Sequence, residues 1–277
     1  MTSAASRLRL GSCPDSWGVW FDSDPGQTPW QRFLDELEQR GLKVAGGTMH
    51  GESGLHRAAD WPAILDKTRK VAELTAAVGG RHVVFVPVPG YRDDTTGAYL
   101  EPAELDADGW ATMVRAADEL GKVVSEEHGV RLQFHPHADS HVETQEQTER
   151  FLADTDPRYV NLCLDTGHLA YRRADSAGII RKHPDRIGYV HIKQMDPAVV
   201  ERAEREDLAF GQAVAMGASC EPPKGLPDVP SVVEALSGLD SELFVVVEQD
   251  MYPVDFDVPA TIAARTRDYL RGAGVGD

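Results

Sequence analysis

Short apolar runs rich in β-branched residues alternate with longer stretches of three- and four-residue periodicity along the whole chain. The runs Leu8 to Cys13, Leu42 to Gly46, His82 to Val88, Val130 to His135, Val160 to Leu164, Ile187 to Ile192 and Leu243 to Glu248 read as strands. Most are nearly continuous in apolar residues, as parallel strands covered on both faces are. Between them, Trp110, Met113, Val114, Ala117, Leu120 and Val124 recur as one stripe of a helix. A helix from about Trp61 to Val78 stops at Gly79-Gly80, and Thr144 with Gln147 forms a capping box that starts another. A last helix, Pro259 to Leu270, closes the chain.

Repeated βα units of this kind build a parallel α/β sheet with right-handed crossovers. No GxGxxG follows the first strand, which argues against a dinucleotide-binding sheet. Polar residues gather at the C-terminal ends of successive strands, where (β/α)8 barrels carry their sites. The expected fold is therefore a TIM barrel, but with seven strands rather than eight. Pro29 to Arg40 holds a single helix, so one βα unit is lacking after the first strand; a deletion, an open barrel or a segment dropped from the sequence all fit. Residues 1–277 are expected to form one TIM-barrel domain, with a long insertion loop at about 194–230. That loop contains a charged helical piece, Pro197 to Glu206, and is a candidate lid or homo-oligomer contact.

With 277 residues and 42% hydrophobic content, the chain can bury a sizeable core. The net charge of −17, from 45 acidic and 28 basic residues, repels phosphate backbones and anionic lipid. Neither nucleic acid nor a membrane is an expected partner. No window approaches the roughly 18 apolar residues of a membrane span, and Met1 to Leu10 lacks the apolar run of a signal peptide. Cytoplasmic residence is expected. Cys13, Cys163 and Cys220 are too scattered for a disulfide framework or a CxxC zinc site and read as buried fillers.

Four strand ends carry candidate chemistry. His135-Pro136-His137 leads to His141-Val142-Glu143-Thr144; the others end in Leu164-Asp165-Thr166-Gly167-His168, Val190-His191-Ile192-Lys193 and Val247-Glu248-Gln249-Asp250. Alone, Asp165 fits a helix cap and His191 a satisfied core histidine. Together, Asp165, His191 and Glu248 at three consecutive strand mouths would converge on a divalent cation, and a carboxylate-rich site with one imidazole suits Mn²⁺, with Co²⁺ or Mg²⁺ as alternatives. His168 and Lys193 are candidate acid/base or oxyanion-steadying groups, against the bland readings of a helix-start histidine and a surface lysine. His135 and His137 share a strand face, and Trp17 with Trp20 would stack a sugar ring or pack in the core.

The order LDTGH, YVHIKQ and VVVEQD, with the opening Gly11-Ser12-Cys13-Pro14-Asp15-Ser16-Trp17-Gly18, resembles the xylose-isomerase-like barrel superfamily. The likeness is to its branch of inosose dehydratases and sugar phosphate isomerase/epimerase homologues. The resemblance implies a metal held by a Glu or its equivalent after the fifth barrel strand, then by Asp165, His191 and Glu248. Where many relatives have that first Glu, this chain has Gln133 and His135. Glu143 is the nearest carboxylate and the expected first ligand, with His135 and His137 as rivals. The implied activity is that of a metal-dependent sugar or cyclitol isomerase or epimerase, acting by proton abstraction next to a carbonyl through an enediolate steadied by the cation. Inosose dehydration, a lyase reaction, is the nearest alternative, and an inactivated barrel serving as a binding or partner subunit is the third.

Overall fold

The structure, a computed structural model, describes residues 7–13, 30–51, 54–251, 254–255 and 257–276, without the side chains of 30–33. Trp17 and Trp20 lie outside the described residues. The parallel sheet contains β1 (Leu8–Ser12), β2 (Gly46–His50), β3 (His82–Val86), β4 (Arg131–Phe134), β5 (Val160–Asp165), β6 (Ile187–Ile192) and β9 (Leu243–Val247). Its order is β1-β9-β6-β5-β4-β3-β2. A short antiparallel pair, β7 (Gln194–Met195) and β8 (Ser219–Cys220), stands apart in the insertion. The helices are α1 (Trp30–Gln39), α2 (Trp61–Ala77), α3 (Ala107–His128), α4 (Gln145–Asp154), α5 (Thr166–Tyr171), α6 (Ser176–Lys182), α7 (Pro197–Glu206), α8 (Phe210–Ala215), α9 (Val229–Ser237) and α10 (Asp257–Gly272). None of the described helices is long and apolar enough to cross a membrane.

The sheet curls into a half-barrel of the TIM type whose two edges, among the described pairings, are β1 and β2. Among the described residues no strand stands between β1 and β2, where the sequence places the lacking unit. The second strand itself is shifted. It runs Gly46–His50 rather than Leu42 to Gly46, and Leu42 is exposed. Its opening glycines are demanded by close packing: a Cβ on Gly46 would lie 2.6 Å from the His82 carbonyl oxygen, and one on Gly47 would lie 2.3 Å from Thr75 Oγ1. Strand propensity scores such a pair poorly, so the register is hidden from composition.

Alternation sorts each strand into two faces. Val83, Phe85, Leu132 and Phe134 point outward and pack on Ile64 and Ala72 of α2 and Leu120 and Val124 of α3. Leu162, Leu164, Val190, Ile192 and Val245 do the same against Ile179, Ile180, Val232, Leu236 and Leu270. Val84, Val86, Cys163, Tyr189 and Val246 fill the inner face, so Cys163 is a buried filler as expected. The helix signals are also realised. Thr144 Oγ1 accepts from Gln147 N at 3.2 Å while the Gln147 side chain accepts from Thr144 N at 3.1 Å, the reciprocal box that opens α4. Gly79, at φ +82°, ends the α2 region in a conformation glycine adopts without strain.

Low in the inner face, His82 and Gln133 form a buried polar pair, with Gln133 Nε2 donating to His82 Nδ1 at 3.0 Å. Tyr189 and Phe244 flank the ring. Burial, aided by Arg131, pushes the His82 imidazole down to about 4. The unfolded histidine titrates near 6.5, so His82 contributes stability that is complete above that pH and lost as pH falls toward 4. The expected loss is up to about 3 kcal/mol. Urea denaturation of the wild type against His82→Gln between these pH values checks it: the variant should show the smaller slope.

Candidate active site

Parallel pairing brings the site together. Asp165 of β5 is in register with His191 of β6, and His191 with Val246 of β9. Two residues beyond Val246 on the same inward face comes Glu248, and two beyond His191 comes Lys193. His191 Nδ1 lies 3.1 Å from Glu248 Oε2 and 3.5 Å from Asp165 Oδ2. His135, whose N–H extends the β3–β4 pairing to the Phe85 carbonyl, places Nε2 3.3 Å from Asp165 Oδ2. The Lys193 ammonium sits 2.9 Å from Glu248, 3.0 Å from Asp250 and 3.5 Å from Asp165, with 2% of its side chain exposed.

The LDTGH segment is explained residue by residue. Asp165 uses Oδ1 to cap α5, accepting from Gly167 N at 2.8 Å and His168 N at 2.9 Å, which leaves Oδ2 for the cluster. It is thus a helix cap and a cluster member at once. Thr166 Oγ1 donates to the Lys193 carbonyl at 2.7 Å and accepts from Lys193 N at 3.0 Å, pinning β6 to α5. At Gly167 a Cβ would lie 2.4 Å from Lys193 Cγ, so only glycine lets the lysine stem pass. Ala138 N donates to His168 Nδ1 at 3.2 Å; the His168 hydrogen is therefore on Nε2, which faces Lys193 Nζ at 3.1 Å. His137 donates Nδ1–H to the Ala138 carbonyl at 2.7 Å, leaving its lone pair on Nε2.

Burial and charge act against each other throughout the cluster. Burial would raise the Asp165 carboxyl, but Lys193 and hydrogen bonds from His135 and His191 hold it well below the usual carboxylate range. Glu248 is likewise held low against burial by Lys193 and His191. For Asp250 burial prevails and its carboxyl moves up. Burial opposes charge on His191 and Lys193, yet Cys163, Glu248 and Asp165 raise the imidazole, and Asp165, Asp250 and Glu248 raise the ammonium. Burial keeps His168 neutral and pushes His137 down to about 3.

The donor set fits a divalent cation. Ligand atoms of His135, Asp165, His168 and Glu248 lie within 4.8 Å of one another, and His135 Nδ1 is buried without a hydrogen-bond partner among the described groups. Two carboxylates with imidazoles in one buried group are the ligand chemistry of Mn²⁺, Co²⁺ or Zn²⁺. The structure does not bring Glu143 to this group. Its Oε1 accepts from Tyr91 Oη at 2.8 Å, and its Oε2 accepts from Asp139 N at 2.7 Å and Arg172 Nε at 2.6 Å. Of the three alternatives for the first ligand, His135 is the one beside Asp165.

Sequence reasoning missed three participants. Asp250, two residues past Glu248, completes the carboxylates around Lys193, and the repeat of two was its available signal. Phe210 comes from the insertion: its ring packs 4.6 Å from that of His168 and 5.3 Å from that of His137, and its N–H donates to Asp139 Oδ2 at 2.6 Å. Arg172 holds Asp139 at 2.7 Å and Glu143 together beneath it. The 194–230 segment is therefore packed onto the site through Met195, Val200, Ala203, Phe210 and Ala213.

Comparison with known proteins places this geometry. Residues 12–272 match the family described as xylose isomerase-like TIM barrel. The inosose dehydratase of Bacillus velezensis is 30% identical over 247 residues, covering 85% of this chain and 78% of that protein. Among solved structures, an L-ribulose 3-epimerase superposes with a TM-score of 0.69 at 19% identity, covering 97% of this chain and 94% of that one. A structure of the IolI protein with a bound zinc atom gives 0.66 at 14% identity, covering 94% and 96%. With a family match over nearly its full length, this chain belongs to the xylose isomerase-like TIM-barrel family.

Proposed function

We propose that the chain is a metal-dependent enzyme that removes the proton next to the carbonyl of a small carbohydrate or cyclitol ketone, then expels a β-hydroxyl, as in dehydration of an inosose. The observation that carries this reading is the buried meeting of Asp165, Glu248, His135, His191 and Lys193 at the strand mouths. Asp165, His191 and Glu248, joined by His135, would hold the cation, with Mn²⁺ first and Co²⁺ or Mg²⁺ as alternatives. When bound, the cation supplies Lewis-acid polarisation of the substrate carbonyl and its adjacent hydroxyl.

The protein's own groups account for the proton traffic. His137, whose Nδ1–H is held by the Ala138 carbonyl, keeps its Nε2 lone pair for the α-proton. The Nε2–H of His168 and the Lys193 ammonium meet 3.1 Å apart as two donors. A substrate oxygen placed beside both would accept from each, which would steady negative charge and deliver a proton to a departing hydroxyl. Phe210, seated on the His137 and His168 rings, shields these groups from water. The extent of the match to an inosose dehydratase favours dehydration. Return of the proton to another carbon or face, giving isomerisation or epimerisation, is the second reading; it needs no further group, and the same fold serves an L-ribulose 3-epimerase.

Incubation with inososes and ketoses in D₂O with Mn²⁺, followed by NMR, tests the reading. Deuterium uptake beside the carbonyl with loss of water is expected; uptake without loss of water selects the second reading, and neither uptake nor binding leaves the partner-subunit alternative. Glu248→Gln should abolish turnover and the thermal stabilisation conferred by Mn²⁺ while leaving the circular dichroism spectrum unchanged. Full turnover in that variant refutes the site. Lys193→Met removes the ammonium from three carboxylates and should destabilise the cation-free protein by about 3–5 kcal/mol. Denaturation with and without Mn²⁺ should show the cation restoring more stability to this variant than to the wild type.

A further inference from the structure

A second group of metal-type side chains stands at the ends of three neighbouring strands, and none of its members belongs to the cluster described above. His56 follows β2, Glu101 follows β3 and His141 follows β4. His56 Nε2 lies 3.1 Å from Glu101 Oε2, and His141 Nε2 lies 3.1 Å from Glu101 Oε1. The two imidazole rings meet edge to face at 4.7 Å. Their side chains are 10%, 18% and 7% exposed in chain order, unlike the open acidic groups of an ordinary surface. A cavity walled by Leu55, Pro87, Met113, Phe134 and Val142 is lined by all three residues.

Hydrogen-bond accounting makes this group unusual. His141 Nδ1 lies 3.0 Å from the Ala103 carbonyl oxygen, which only accepts, so Nδ1 carries the hydrogen. Nε2 of the neutral ring is then a lone pair aimed at a carboxylate oxygen 3.1 Å away. Two acceptors at that separation need a positive charge between them, either a ring proton or a metal ion. A backbone carbonyl fixing the far nitrogen of an imidazole is also the usual support of a histidine metal ligand. His56 Nδ1 is buried without a hydrogen-bond partner among the described groups, so that ring too is incompletely satisfied. Arg57 occupies the Oε2 side of Glu101 at 2.8 Å and leaves Oε1 toward His141.

We propose that His56, Glu101 and His141 form a second divalent-metal site, selective for zinc or a similar borderline-soft cation, that ties the loops after β2, β3 and β4 together. One ligand atom from each of the three residues lies within 4.8 Å of the others, and each imidazole is 3.1 Å from one oxygen of Glu101, near the roughly 3.3 Å that separates the ligands of a tetrahedral zinc. Two imidazoles and one carboxylate are a three-ligand zinc set that would leave a fourth position for water or another donor. The site acts on the open side of the half-barrel, where β2 has no further strand to pair with among the described residues.

The test is a zinc titration of the full chain after stripping with a chelator. His56→Gln with His141→Gln should bind one equivalent fewer than the wild type, whatever the Asp165–Glu248 cluster does. Zinc X-ray absorption of the Asp165→Asn, Glu248→Gln protein should show two imidazoles, and adding Glu101→Gln, which touches no residue of the other cluster, should remove that signal. Equal zinc content in the wild type and the double histidine variant overturns the proposal, as does an imidazole-free spectrum or no zinc in the protein lacking the other cluster. If the histidine variant fails to fold by circular dichroism, the absorption spectrum decides.

Discussion

The structure turns on one buried ammonium. Lys193, nearly inaccessible, faces Asp165, Glu248 and Asp250 at hydrogen-bonding or ion-pair distance. Three carboxylates in one dry pocket would repel each other by several kcal/mol without a cation among them. Much of the local sequence follows from seating that group. Gly167 gives room for the lysine stem, Thr166 bridges both backbone groups of Lys193, and Asp165 divides its two oxygens between the α5 cap and the charge cluster. A divalent cation brought to the same carboxylates would take over the role that the Lys193 ammonium and the His191 proton play without it, and its binding would release that proton.

How much of this was legible follows from which interactions are local or periodic. Alternation by two is written in the strands, so Asp165, His191, Lys193 and Glu248 could be assigned to one inward face before any coordinates. The capping box at Thr144 and the stop at Gly79-Gly80 are equally local. Glu143 was not legible, because its partners Tyr91 and Arg172 lie 52 and 29 residues away and nothing nearby announces them. Beside Asp139 and Arg172, Glu143 completes a charge network and is spent there. Gly46 and Gly47 concealed β2 for the opposite reason: the packing that makes them strand residues belongs to His82 and Thr75, not to their own propensity.

The insertion shows how a departure from the regular barrel is absorbed. A long strand-to-helix connection has to satisfy its own backbone and bury its own apolar residues. Here β7 and β8 pair, α7 is capped by Asp196, and Phe210 is driven onto the histidine rings while its N–H is held by Asp139. Asp139 is held in turn by Arg172, which also grips Glu143. The packing of Phe210 is thus fixed by the same network that engages Glu143 away from the Asp165 cluster. Glu143 is thereby tied, through Arg172 and Asp139, to the packing of the insertion.

The same electrostatics bear on the substrate. An anionic substrate such as a sugar phosphate needs cations free to receive it, usually guanidinium groups or a helix N-terminus. In this cluster the two described cations, Lys193 and His191, are already bracketed by Asp165, Glu248 and Asp250, and the nearby Arg172 is engaged by Asp139 and Glu143. A phosphate entering here would meet more carboxylate than compensating charge, and the overall charge of −17 adds repulsion at longer range. An uncharged polyol ketone meets neither obstacle, since its hydroxyls can donate to carboxylates and accept from Lys193 and His168. On the proposed function, charge balance around Lys193 therefore suits a neutral sugar or cyclitol better than a phosphorylated one.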